Sequence, residues 1–117
     1  MAEDFYCDEV LSGKTPVEKV RETANVLAFN HTRPFWETHI VVIPKKHISS
    51  LLTLEESDED LMLEIMEVIR AVSAEVMAEK GAVRVLTNLG DYQDSKHLHF
   101  HINSGVQIRP DDENLAA

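Results

Sequence analysis

Between positions 97 and 103 the chain reads His-Leu-His-Phe-His-Ile-Asn, and no other stretch constrains it as tightly. Imidazole and apolar side chains alternate with a period of two. That is the period of a β-strand, whose successive side chains leave opposite faces of a sheet. His97, His99 and His101 are therefore expected on one face, roughly 6–7 Å apart, with Leu98, Phe100 and Ile102 turned into the core. Imidazole titrates closer to neutrality than any other side chain, so such a row can act as nucleophile, acid, base or metal ligand. The residues alone leave three readings open: structural histidines held by hydrogen bonds, a metal site of the His-x-His kind, or a catalytic site.

A chain of 117 residues suffices for one core but not two. A single domain over 1–110 is expected, followed by a flexible acidic tail over 111–117. The formal net charge of −10 argues against a nucleic acid polymer, which needs a basic face. A small nucleotide is compatible with it, because a pocket can be locally rich in donors. Cys7 is the one cysteine, so no internal disulfide forms, as suits a reducing compartment. Met1-Ala2-Glu3-Asp4 has neither the basic segment nor the apolar run of a secretory signal. No stretch approaches the roughly 18 apolar residues of a membrane span. The expectation is a cytoplasmic protein with no membrane partner.

Along the chain, Lys14-Thr15-Pro16 reads as a turn into a short strand over 17–21, and Val26-Leu27-Ala28-Phe29 as the returning strand. A loop over 30–37 contains Arg33-Pro34, and Thr38 to Ile43 is β-branched and apolar, a buried strand ended by Pro44. Thr53-Leu54-Glu55-Glu56 has the form of a capping box opening one long helix. In that helix Leu61, Ile65, Val68, Ile69, Val72 and Val76 recur at helical spacing, and Lys80-Gly81 is a stop. Met62, Met66 and Met77 are read as packing material. Strands are expected over 82–87 and 97–103, separated by a loop. The pattern of strands, one long helix and more strands is that of an α+β domain with a mainly antiparallel sheet.

The histidine row resembles the signature His-φ-His-φ-His-φ-φ of the histidine-triad (HIT) family, φ being apolar; Asn103 is polar where the last φ belongs. Upstream, Val26-Leu27-Ala28-Phe29 and Thr38-His39-Ile40-Val41-Val42-Ile43-Pro44-Lys45-Lys46-His47-Ile48 resemble strands of that family's nucleotide-binding branch. Lys14-x-Pro16 and Ser104-Gly105-x-Gln107 agree, so the resemblance covers about residues 4 to 110.

The resemblance implies a HIT-like fold: a five-stranded antiparallel sheet with one long helix and a short N-terminal element, usually paired into a homodimer. It implies a hydrolase that binds a purine nucleotide or nucleotide conjugate and cleaves at the α-phosphate of a nucleoside phosphoramidate or dinucleoside polyphosphate. His99 takes the nucleophile's place and forms a nucleotidyl-histidine. Its second nitrogen donates to a backbone carbonyl expected at His97, while His101 and His39 contact phosphoryl oxygens. Asn88 and Gln93 match amides near the phosphate and leaving group, and Asp94 and His31 complete the substrate-binding set. Asp94 stands where a hydroxyl is usual, which disfavours a second phosphate on electrostatic grounds. His31 replaces an aspartate or asparagine that accepts from ribose hydroxyls. No metal and no cofactor enter this chemistry. Some relatives hold zinc between a Cys-x-x-Cys and two histidines; the matching positions here are Asp4, Cys7, His47 and His97. The other readings are a nucleotide-binding module without catalysis and a metal-dependent hydrolase with the triad as ligands.

Overall fold

In the computed structural model, residues 5–109 are described; Asp4 and the tail over 111–117 lie outside them. Five strands form one antiparallel sheet: β1 (Lys19–Glu22), β2 (Val26–Asn30), β3 (Trp36–Pro44), β4 (Arg84–Leu86) and β5 (Phe100–Gln107), in the spatial order β1-β2-β3-β5-β4. One helix, α1 (Glu59–Lys80), crosses one face, and a six-residue π-helical element (Tyr6–Leu11) lies on the other. The expected α+β architecture is the observed one.

Side-chain parity divides the sheet between two cores. Val26, Ala28, Ile40, Val42, Phe100 and Ile102 face α1, which contributes Ile65, Val68, Ile69, Val72 and Val76. Each such burial contributes about 1.5–3 kcal/mol, so the five α1 side chains hold the helix to the sheet more firmly than its own propensity does. Leu27, Phe29, Val41 and Ile43 leave the other face and meet Tyr6 and Val10. The histidines share this second face, so the sheet is covered on both sides over much of its area.

The helix start departs from the expected Thr53–Glu56 box. Ser50 and Thr53 bond reciprocally around one 3-10 turn, and Glu55 and Asp58 do so around a second. Asp58 also accepts from Lys46 Nζ at 2.6 Å, fixing the helix entry to the end of β3. The stop is as read: Gly81 adopts φ +86° and its N–H reaches Met77 O at 2.8 Å. Met62 packs against the core, whereas Met66 and Met77 face outward.

Three strand boundaries differ from expectation. β1 is shifted to Lys19–Glu22, β4 covers only part of 82–87, and β3 begins at Trp36 inside the expected loop. The histidine row is a ladder strand only from Phe100 onward. Before it, the backbone leaves β3: Leu98 N–H donates to Ile48 O at 2.6 Å, and Thr87 Oγ1 donates to His99 O at 2.7 Å. The imidazole of His97, not its backbone, reaches Pro44 O at 2.8 Å. Two side-chain bonds and one backbone bond to Ile48, beyond the end of β3, therefore replace the ladder over the first half of the row, and alternation survives without strand pairing.

At the other end of β5 the register slips between the Trp36–Gln107 and Thr38–Ser104 pairs. Gly105 and Val106 oppose the single residue Glu37, and Gly105 has φ +89°. This is a β-bulge of the glycine type, which increases local twist and re-aims side chains.

Candidate active site

Backbone groups of known polarity set the tautomers of the buried rings. The N–H of Phe35 points at His39 Nδ1 at 3.0 Å, so that nitrogen accepts. The proton of neutral His39 is then on Nε2, which donates to His101 Nδ1 at 2.9 Å. His101 in turn carries its proton on Nε2, a buried donor with no partner among the described residues. His99 Nδ1 donates to His97 O at 2.7 Å, the bond expected for that ring. Its lone pair is thus on Nε2. The His99 and His101 rings stand edge to face, with their centroids 5.0 Å apart.

Two rings of the cluster, His39 and His101, are kept uncharged. Burial, followed by the neighbouring His31 and His99, lowers the pKa of His39 to about 3. Burial first, then His99, His39 and His31, holds His101 well below its ordinary value. Neutral His39 and His101 keep one acceptor and one donor nitrogen each, as the chain of bonds from Phe35 N–H through His39 to His101 requires.

Two cavities border His39, and one of them His101 as well; His99, buried beneath, lines neither. One of about 160 Å³ is lined by His39, His101, Asn88 and Asn103, with aromatic walls from Phe35 and Trp36, and no carboxylate lines it. The other, about 610 Å³, opens between the sheet end and α1; it includes His31 and His39 but also Glu37, Glu75 and Glu79. An anionic phosphoryl group suits the first by charge.

The other sequence-picked residues are distributed as follows. His31 stacks on His39 at 4.3 Å between ring centroids, and its Nδ1 accepts the Arg33 N–H at 2.9 Å. Neutral His31 therefore has a donor at Nε2, the reverse of the acceptor expected for ribose. Asn88 is at the smaller cavity with His39 and His101. Gln93 is buried, and its Nε2 donates to Ser49 O at 2.7 Å and Ser95 O at 2.9 Å, tying down the loop before the triad. Asp94 does not line either cavity; its charge acts on Tyr6, whose hydroxyl pKa is raised chiefly by burial and then by that carboxylate.

Tyr6 is the site neighbour that the sequence did not announce. Its ring stands 4.9 Å from that of His99 and 6.0 Å from that of His97, closing the histidine face. Thr87, on the carbonyl of His99, is a second such neighbour, and neither position carries a local pattern that marks it.

Cys7 and His47 meet His97. Cys7 Sγ is 3.3 Å from His97 Nδ1, and ligand atoms of all three lie within 4.8 Å of one another. His97 Nε2 is anchored on Pro44 O, the kind of second contact that orients a metal-bound imidazole. One thiolate and two imidazoles fit zinc. An ion there would cross-link the N-terminal helix to the triad segment. Among the described residues no group of ligand atoms unites all three triad histidines: His97 falls in this set and His101 in another with His31 and His39. The triad as a joint metal ligand is therefore not what the geometry presents.

Comparison with known proteins bears on the whole domain. Residues 5–110 match the family model described as scavenger mRNA decapping enzyme C-term binding. A HIT-like protein of Azospirillum brasilense is 36% identical over 108 residues, covering 86% of this chain and 85% of that one. The solved structure of a histidine triad protein from Clostridium difficile superposes with a TM-score of 0.76 at 34% identity, covering 94% of this chain and 96% of the other. A HIT family hydrolase from Legionella pneumophila gives a TM-score of 0.73 at 32% identity, with 91% and 96% covered. With its triad geometry and these matches over nearly the whole domain, the chain belongs to the histidine-triad family.

Proposed function

We propose that this protein is a nucleotide hydrolase that cleaves at the α-phosphate of a nucleoside phosphoramidate or related nucleotide. The observation that carries the reading is the bond from His99 Nδ1 to the His97 carbonyl, which leaves the Nε2 lone pair as the nucleophile. The phosphoryl group would enter the carboxylate-free cavity beside His101 and Asn88. His99 Nε2 forms a bond to phosphorus as the P–N or P–O bond breaks. The bonding pair goes to the leaving group, which takes a proton from solvent. The buried Nε2–H of His101 meets a phosphoryl oxygen, and His39 holds His101 in the tautomer that donates. Water then attacks phosphorus, the P–N bond to His99 breaks, and the monophosphate leaves. The ring returns to its starting state as a proton from water passes to solvent.

Support from relatives is of the same kind: the Legionella pneumophila structure is named a HIT family hydrolase, and one from Sulfolobus tokodaii a hypothetical histidine triad nucleotide-binding protein. A purine nucleotide or nucleotide conjugate is the ligand class we infer. No helix of the described residues is long and apolar enough to cross a membrane, and a cytoplasmic location is proposed. A homodimer is proposed as well, because β4 is an exposed edge strand and α1 turns Leu63, Met66 and Met77 outward; sedimentation at a monomer mass would remove it.

The test is incubation with an adenosine phosphoramidate and mass spectrometry for transient adenylylation on His99. His99→Ala should lose turnover by about a thousandfold or more while keeping nucleotide binding. Unchanged hydrolysis in that variant eliminates the mechanism. Nucleotide affinity with no turnover in the unaltered protein replaces it by binding alone.

A further inference from the structure

Beyond the histidines, the same face of the sheet continues into a second group of donors. Asn103 follows His101 by two positions on β5, one side-chain rank or about 7 Å further along. It pairs across the sheet with Arg84 of β4, and Arg84 Nη1 donates to Asn103 Oδ1 at 2.7 Å. That bond identifies the amide oxygen, so the remaining group of Asn103 is an N–H₂ donor, and this residue lines the 160 Å³ cavity. The guanidinium of Arg84 lies 4.4 Å from the ring centroid of Trp36, which lines the cavity as well.

Three facts make this more than a packing detail. Trp36 is at a position whose alternation with Thr38 and Ile40 would place it toward α1, and the bulge at Gly105 coincides with its presence on the histidine side. Asn103 is polar and buried at the position where the triad signature has an apolar residue. Arg84 has no carboxylate partner among the described residues of a chain with net charge −10. The wall offers hydrogen-bond donors at His101 and Asn103, and Arg84, exposed and outside the lining itself, sets a positive charge against two residues that do line it, Asn103 and Trp36.

We propose that Arg84, Asn103 and Trp36 form a leaving-group subsite for an anionic substituent, a carboxylate or a phosphate, one rank beyond the phosphoryl position. The inference rests on the hydrolase reading above and specifies the substrate class within it. Trp36 holds the guanidinium over its ring and Asn103 takes one N–H, which leaves the other N–H groups of Arg84 for an anionic substituent that reaches the cavity mouth. Asp94 does not oppose such a charge, because it lies by Tyr6 and outside the cavity lining.

The experiment compares kcat/KM for three substrates: an adenosine phosphoramidate of propylamine, one of β-alanine, and a dinucleoside triphosphate. The unaltered protein should prefer at least one of the two anionic leaving groups over propylamine by about tenfold or more. Preference for the β-alanine conjugate assigns a carboxylate, and preference for the triphosphate a phosphate. Arg84→Gln should erase that preference, and Arg84→Lys should restore part of it, with Trp36 fluorescence and circular dichroism establishing the fold. Turnover of all three at similar kcat/KM, or equal losses on every substrate in Arg84→Gln, overturns the subsite and leaves the hydrolase reading standing. Inactivity of the unaltered protein on all three overturns both.

Discussion

Gly105 of β5 sits directly against the Glu37 side chain of β3: a Cβ built at 105 would overlap Glu37 Oε1 and come within 3.0 Å of its Cβ. Glu37 Oε1 also accepts the Val106 N–H at 3.2 Å, so the carboxylate caps the bulge. Gly105→Ala meets two obstacles, the left-handed backbone at φ +89° and the displaced carboxylate. The expected cost is about 2 kcal/mol or more, read as a lower urea midpoint. Adding Glu37→Ala should recover the steric part and leave the backbone part. A Gly105→Ala variant of unaltered stability would falsify this account of the bulge.

Protonation of the cluster couples to folding. In the unfolded chain His39 and His101 titrate near 6.5, while in the folded protein His39 falls to about 3 and His101 well below its ordinary value. Below pH 6.5 the unfolded chain therefore takes up protons that the folded protein refuses. Stability present above 6.5 is lost as pH falls toward 3, at up to about 1.4 kcal/mol per pH unit for each ring. Urea unfolding of the protein and of His39→Asn between about pH 7 and about pH 4.5 measures it. The variant should show the shallower decline; parallel curves refute the assignment.

The Cys7–His47–His97 group is expected to retain zinc through purification, seen by elemental analysis. A chelator should lower Tm in the unaltered protein and have little effect on Cys7→Ala. Metal content unchanged by Cys7→Ala rules out this ligand set.

Tyr6 covers both His97 and His99 and packs on Phe29. Tyr6→Ala should cost about 3–5 kcal/mol, the range for truncating a buried aromatic side chain. Turnover should fall as well, since the His99 ring loses the neighbour that fixes its plane. Native stability in that variant contradicts the role.

Much of the scaffold can be read locally. The α1 stripe from Leu61 to Val76, the Gly81 stop and the alternation at 97–102 each depend on neighbours a few positions apart, so periodicity reveals them. The helix entry is not legible in the same way, because Ser50–Thr53 and Glu55–Asp58 offer competing boxes and the anchor on Lys46 selects among them. Met66 and Met77 have the same composition as Met62, and only the helix's seating on the sheet distinguishes them.

By itself the sequence determined the α+β class, the face on which the three imidazoles lie and the identity of His99 as the ring flanked by two others. Those follow from a two-residue period and short-range pattern, which survive even where the ladder is lost. Only the tertiary structure decided the tautomers of His101 and His97, because His39 Nε2 and Pro44 O reach those rings from β3. It likewise decided that Gln93 ties a loop, that Tyr6 closes the site, and that Arg84 stacks on Trp36 across the end of the sheet. A hydrogen bond or ring contact depends on distances of a few ångströms between residues up to 90 positions apart, and no local pattern encodes that separation.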